Sequence, residues 1–142
     1  DGATVEPVEV ATIAEQGWHN VETEDATLSI ATDQQLNADP SQLQQLFENL
    51  FRNAVEHADE PVTVTVSADT DGFHVADTGP GIPAATRDEI FSPGYSTTAD
   101  GTGLGLAIVY EIAQAHGWDI AVTGSESGGT RIAVSDIDVT PT

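Results

Sequence analysis

The chain has 142 residues, 39% of them apolar, which suits one folded domain and excludes a disordered chain. It contains no cysteine, so disulfide frameworks, thiolate metal sites and cysteine nucleophiles are excluded together. Twenty-four acids face three bases, Arg52, Arg87 and Arg131, for a net charge of -21, which argues against binding nucleic acid or anionic lipid.

The acids are spread along the whole chain rather than gathered in a tail, and there is no lysine. Lysine is ordinarily among the commonest residues, so the pattern points to adaptation to a very salty cytoplasm and to a haloarchaeal parent; an ordinary acidic domain is the plain alternative. No stretch reaches the roughly 18 uninterrupted apolar residues of a membrane span. The acidic start lacks the basic and apolar regions of a signal peptide. The expected location is the cytoplasm, with an anchor elsewhere in the parent left open.

In chain order, a short strand is predicted within residues 1–9 and a helix over 10–20, with Ile13 and Trp18 as its larger apolar groups. Short strands follow near Thr27–Ala31 and Leu36–Ala38. The clearest helix starts with Asp39 as cap and Pro40 at the first helical position. Leu43, Leu46, Phe47, Leu50 and Ala54 form its apolar stripe, and it ends near His57. Val62, Val64 and Val66 alternate with Thr63, Thr65 and Ser67, and Asp71-Gly72 turns this strand into a second one from Phe73 towards Thr78. Residues 79–103 are rich in Gly, Pro, Ser and Thr, with one helical turn predicted around Arg87–Ile90. At roughly 25 residues this segment exceeds ordinary loop lengths, which suggests function. A helix is predicted from Leu104 to Gly117, and two strands close the chain around Trp118–Val122 and Ile132–Val134. The order implies an α/β two-layer sandwich, a mixed sheet with helices on one face.

Four features carry candidate chemistry. Asn49 and Asn53 are one helical turn apart, roughly 80–120° from the centre of the apolar stripe. Their amide oxygens suit magnesium; the alternative is two solvated amides. Asp77 follows Phe73 and Val75 on the inward face of its strand, with glycines behind it that permit close approach of a ligand. It reads either as an acceptor for an adenine amino group or as the cap of a tight turn. Asp100-Gly101-Thr102-Gly103-Leu104-Gly105-Leu106 runs into a helix, whose first amides favour an anion. Leu106 stands where a dinucleotide fingerprint needs its third glycine, and no lysine is present for a P-loop. Gly128-Gly129-Thr130 by itself is a hairpin turn.

In combination these segments resemble the GHKL ATPase superfamily and, within it, the histidine kinase catalytic domain, from about Asp39 to Val134. Glu48-Asn49-Leu50-Phe51-Arg52-Asn53-Ala54 resembles the asparagine box, and Asp77-Thr78-Gly79-Pro80-Gly81-Ile82 the first glycine box. Ile90-Phe91-Ser92-Pro93-Gly94-Tyr95-Ser96-Thr97 resembles the phenylalanine box that sets histidine kinases apart from their relatives. Gly101–Leu106 and Gly128–Thr130 resemble the remaining two.

The resemblance implies ATP and Mg2+ as cofactors, with Asn53 as the metal ligand and Asn49 facing the same phosphates. It implies Glu48 as a candidate base, Asp77 as the adenine acceptor with Thr130 beside it, and Gly79, Gly81 and Ile82 around the adenine. His57, Tyr95, Ser96 and Thr97 would line the pocket, and residues 91–103 would form a lid over ATP. Gly101, Thr102, Gly103, Leu104, Gly105 and Leu106 would offer backbone to the phosphates. An asparagine at position 49, where hydrolases of the superfamily carry a glutamate, suits transfer more than hydrolysis. The implied function is ATP-dependent phosphorylation of a histidine on a separate dimerisation domain, with a response regulator downstream. The isolated domain is expected to be monomeric and inactive alone, inside a homodimeric parent.

Glu56 departs from the family pattern, which often has a lysine there; Arg87 is placed to reach phosphate instead, or to make a surface ion pair. Arg52 is expected on the surface. None of His19, His57, His74 and His116 has the family's acceptor context. A non-catalytic nucleotide-sensing module and an ATPase or serine kinase of the same superfamily are the rival expectations.

The charge generates the first prediction. At about 0.01 M ionic strength the Debye length is roughly 30 Å, so acids repel across the whole fold, whereas at 1 M it is about 3 Å. The melting temperature should therefore climb steadily with potassium chloride between those limits. A flat profile by circular dichroism would remove the high-salt reading.

Overall fold

The computed structural model describes residues 6–21, 26–32, 34–56, 61–69, 71–78, 103–124, 129–137 and 139–140. In chain order they form β1 (Glu6–Glu9), α1 (Val10–His19), β2 (Thr27–Ala31), β3 (Gln35–Ala38), α2 (Pro40–Glu56), β4 (Thr63–Asp69), β5 (Gly72–Asp77), α3 (Gly103–His116), β6 (Asp119–Gly124), β7 (Thr130–Ser135) and β8 (Val139–Thr140).

The main sheet has five strands in the order β2-β4-β5-β7-β6. It is mixed: β2 runs parallel to β4, and the other neighbours are antiparallel. The alternation read from sequence decides its faces. Val64, Val66, Phe73, Val75, Ile132 and Val134 are buried under the helices. The opposite face carries mostly small and polar residues, with Ser29, Thr65, Ala76, Arg131 and Thr123 aligned across the five strands.

A second sheet, β1-β3-β8, is antiparallel throughout. Sequence reasoning foresaw one sheet and no strand at β8. A two-residue strand has no room for an alternating pattern, and its existence depends on Leu36 and Gln35 being there to pair with.

Local chemistry sets the helix ends. Oδ1 of Asp39 accepts from the amides of Ser41 (3.0 Å) and Gln42 (3.1 Å), the N-cap bonds that its position before Pro40 promised. At the end of α3, Gly117 has φ 78, a conformation that strains any residue with a Cβ. Its amide donates to Gln114 and that of Trp118 to Ala113, at 3.1 and 2.8 Å, which together make a Schellman motif. Among the described residues no helix is long and apolar enough to cross a membrane.

An aromatic row ties the layers together. Phe73 of β5 lies 5.1 Å from Phe47 of α2, Phe47 stacks on Phe51 at 5.6 Å, and Trp18 of α1 meets Phe51 edge-on at 5.2 Å. Phe51 is fully buried although it lies outside the apolar stripe read from sequence, because α1 covers a further side of α2. Gly17 permits that approach: a Cβ there would come within 3.2 Å of the Phe47 Cβ.

Replacing Phe47 with alanine should cost about 3–5 kcal/mol, the usual range for emptying a buried aromatic site. Urea denaturation at high potassium chloride measures it, and a loss below about 1 kcal/mol would contradict the packing described.

Candidate functional site

Helix α2 carries the asparagine pair. Asn49 is not a solvated amide: it is only 7% accessible. Its Nδ2 donates to the Gln45 carbonyl at 2.8 Å, and its Oδ1 accepts from Arg52 Nη1 at 3.2 Å. Arg52, expected at the surface, is half-buried and folded back onto Asn49. The i to i+3 spacing makes that contact available on any helix, but spacing alone does not separate it from a solvated arginine. Asn53 lies one turn further along α2; its side chain falls outside the described residues.

Glu48 has different surroundings. Its Oε2 accepts from Asn20 Nδ2 at 2.9 Å and from Gln44 Nε2 at 3.0 Å. Asn20 sits at the C-cap of α1, so this carboxylate joins α1 to α2. At about 100° per residue it projects from a different side of the helix from Asn49. Nothing in the sequence marks the Asn20–Glu48 pair, which is 28 residues apart and meets only through the crossing of the two helices.

The other wall is built at the end of β5. Asp77 is half-buried, and its Oδ1 accepts from the Thr130 amide at 3.2 Å. Thr130 itself is buried. The structure thus brings together Asp77 and Thr130, which were paired from the resemblance. The strand end is held beyond Asp77 as well: the Thr63 amide donates to Thr78 Oγ1 at 2.9 Å, and the Thr78 amide to the Thr63 carbonyl at 3.2 Å. Gly129 makes the closure possible. A Cβ on it would collide with the Asp77 carbonyl oxygen and come within 2.6 Å of Asp77 Oδ1.

Helices α2 and α3 pack against each other with the start of one tied to the end of the other. The Asp39 amide donates to His116 Nε2 at 3.1 Å, and His116 Nδ1 lies 2.8 Å from the Ile112 carbonyl. A carbonyl only accepts and a backbone amide only donates, so Nδ1 is the donor and Nε2 the acceptor in these two bonds. A pair joined this way runs antiparallel. The C-terminal half of α2, with Asn49 and Asn53, therefore shares an end of the helix layer with the first turn of α3 at Gly103, Leu104, Gly105 and Leu106. No acidic residue occupies that first turn, and the first amides of a helix, which have no partner within the helix, favour an anion. Arg87, His57, Gly79, Gly81, Ile82, Tyr95, Ser96, Thr97, Gly101 and Thr102 lie outside the described residues.

A buried carboxamide on α2, a helix start at the same end of the layer and a carboxylate held at a strand end are the kinds of group that could take an anion and an amino group of one ligand. The chain belongs to the family of histidine kinase-, DNA gyrase B- and HSP90-like ATPases, whose model matches residues 38–141.

Within that family its likeness is to sensor histidine kinases. It is 39% identical to the sensor histidine kinase ZraS of Escherichia coli K12 over 104 residues, covering 70% of this chain and 22% of that protein. Among solved structures, the mycobacterial sensor histidine kinase MprB superimposes with a TM-score of 0.81 at 25% identity, covering 96% of this chain and 100% of that one. Full-length ShkA in complex with AMPPNP gives 0.72 at 28% identity, covering 100% of this chain and 33% of that one. The chain is thus an ATP-binding catalytic domain of the sensor histidine kinase type, and it spans about a fifth of the length of the curated relatives it matches.

Gly129→Ala tests the strand-end wall. The added methyl would meet the Asp77 backbone carbonyl as well as its carboxylate, so the end of β5 must shift with the side chain and adenine nucleotide affinity should fall at least about tenfold, the loss of one hydrogen bond to a charged group. Calorimetric affinity equal to wild type would contradict the coupling of this strand end to the nucleotide.

Proposed function

We propose that this chain binds ATP with magnesium and passes the γ-phosphoryl to a histidine on a separate dimerisation domain of its parent protein. The observation that carries the reading is the Asn49 side chain. It is buried, and its amide is held by Gln45 and Arg52. A carboxamide in that state has no basic site with which to activate water, so the face it belongs to favours holding a triphosphate over hydrolysing it.

Asn53 is the metal ligand in this reading, and a bound magnesium ion supplies neutralisation of the triphosphate. Asn49 faces the same phosphates through its remaining N–H. The amides of Gly101, Thr102, Gly103, Leu104, Gly105 and Leu106 hold the phosphate oxygens, and Arg87 provides a cation for the charge that develops on transfer. Asp77, braced by Thr130, accepts from the adenine amino group, with Gly79, Gly81 and Ile82 around the ring. His57, Tyr95, Ser96 and Thr97 border the nucleotide, and residues 91–103 cover it. Because Glu48 already binds Asn20 and Gln44, we assign it to holding α1 against α2 rather than to proton transfer.

The reaction breaks the bond between the γ-phosphorus and the bridging oxygen, forms a phosphorus–nitrogen bond to the incoming imidazole and releases ADP. The domain contributes position and charge stabilisation, with no covalent intermediate of its own. A response regulator is the expected next acceptor. The parent is expected to be a cytoplasm-facing homodimer.

Asp77→Asn should weaken ATP roughly ten- to a hundredfold by exchanging a charged acceptor for a neutral one. Asn53→Ala should chiefly abolish the magnesium dependence. With γ-labelled ATP the isolated chain should accumulate no acid-labile phosphohistidine, and the parent's histidine-bearing domain should become labelled when added. Binding without any transfer to that domain would favour a nucleotide-sensing module, a reading that Glu56 in place of lysine keeps in view. Steady phosphate release without an acceptor would instead make the chain a hydrolase.

A further inference from the structure

Arg52 is one of the chain's three cations, and it does not point into solvent to balance the acidic surface. It is half-buried and folds back one turn so that Nη1 reaches Asn49 Oδ1 at 3.2 Å. On the other side of the same carboxamide, Nδ2 reaches the Gln45 carbonyl at 2.8 Å. The chemistry of these two partners fixes the amide. Arginine has only donors and a carbonyl only accepts, so a carboxamide turned through 180° would set Nδ2 against the guanidinium and Oδ1 against the Gln45 carbonyl. Both contacts would then be repulsive, in a residue that is only 7% accessible. At about 100° per residue, Arg52 and Asn53 flank Asn49 at roughly 60° on one side and 40° on the other. The guanidinium thus takes up the amide oxygen from the flank opposite Asn53.

We infer that Arg52 is a positioning residue for the nucleotide: it holds Asn49 with the amide oxygen engaged, so that Asn49 meets the phosphates as a hydrogen-bond donor and leaves metal ligation to Asn53. The inference rests on the proposed ATP site and adds a division of labour within the asparagine pair. Two asparagines one turn apart are otherwise equivalent oxygen donors, free to exchange between ligating a cation and bonding phosphate. With Arg52 in place they are not equivalent. The same contact keeps a full positive charge one residue from Asn53, on the helix where Glu56 takes the place of a cation.

Arg52→Met keeps the unbranched stem and removes every donor. It should weaken magnesium-ATP binding roughly tenfold, the loss of one hydrogen bond to a charged group. Arg52→Lys, which retains a cation and a donor, should recover most of that loss. The decisive measurement is a double-mutant cycle by calorimetry with Asn49→Ala. If Arg52 acts through Asn49, Arg52→Met should change affinity by less than about twofold once Asn49 is gone. An undiminished tenfold loss in the Asn49→Ala background would mean that Arg52 touches phosphate directly and would overturn the positioning role. A lower melting temperature with unchanged affinity would overturn it too, leaving Arg52 as a packing residue. Wild-type chain that binds no magnesium-ATP at all would sink the ATP site and this inference with it, whereas the other outcomes leave the ATP site intact.

Discussion

The rotation of α2 about its own axis decides everything else in the site, and Phe47 fixes it. This side chain is fully buried, with Phe73 of the sheet 5.1 Å away on one side and Phe51 at 5.6 Å along the helix. Gly17 of α1 comes close enough that even a methyl would crowd the Phe47 Cβ. Turning the helix by one residue would swing Phe47 through about 100°, out of the contact between the sheet and α1. The cost of emptying such a site is large beside the net stability of a domain this size. Since Asn49, Arg52 and Asn53 ride on the same rigid helix, their direction is settled by an aromatic contact with no chemistry of its own.

The ends of α2 and α3 are set by a polar contact of the opposite character. Asp39 caps α2 through its carboxylate and donates its own amide to His116 at the end of α3. The His116 ring stacks on Trp118 at 4.1 Å, which orients the imidazole for that bond. The hydrophobic contact chooses the face that α2 presents, and the capped junction chooses how far along its axis that face sits. Together they bring the C-terminal half of α2 to the same end of the helix layer as the start of α3.

The site also departs from what single residues suggested. Asn49 and Glu48 are adjacent, and both are assigned to the same chemistry by resemblance, yet they enter separate networks. The Asn49 carboxamide is closed by Gln45 and Arg52, while the Glu48 carboxylate serves the α1 junction. Adjacency in sequence on a helix means about 100° of separation in space, enough to put neighbouring side chains into different hydrogen-bond networks.

Much of the architecture was legible in the sequence because it rests on local rules. The Asp39-Pro40 start, the Gly117 end and the Val64–Val66 alternation each reflect interactions within a few residues, and the five boxes of the resemblance fix the family by pattern. The pairing of Asp77 with Thr130 came from that pattern and is realised as a hydrogen bond. What the sequence left open depends on residues far apart in the chain. The second sheet exists because β8 finds β3. Phe51 is buried because α1 lies across α2, and Glu48 is engaged because Asn20 arrives from that helix. Even Arg52, whose contact with Asn49 is local, could not be told from a solvated arginine: the exposure of both side chains is set by what packs around α2. The sequence by itself determined the elements, their caps and the kind of chemistry; only the tertiary structure decided which polar groups are already committed to one another, because that commitment depends on burial, and burial is a property of the assembled chain.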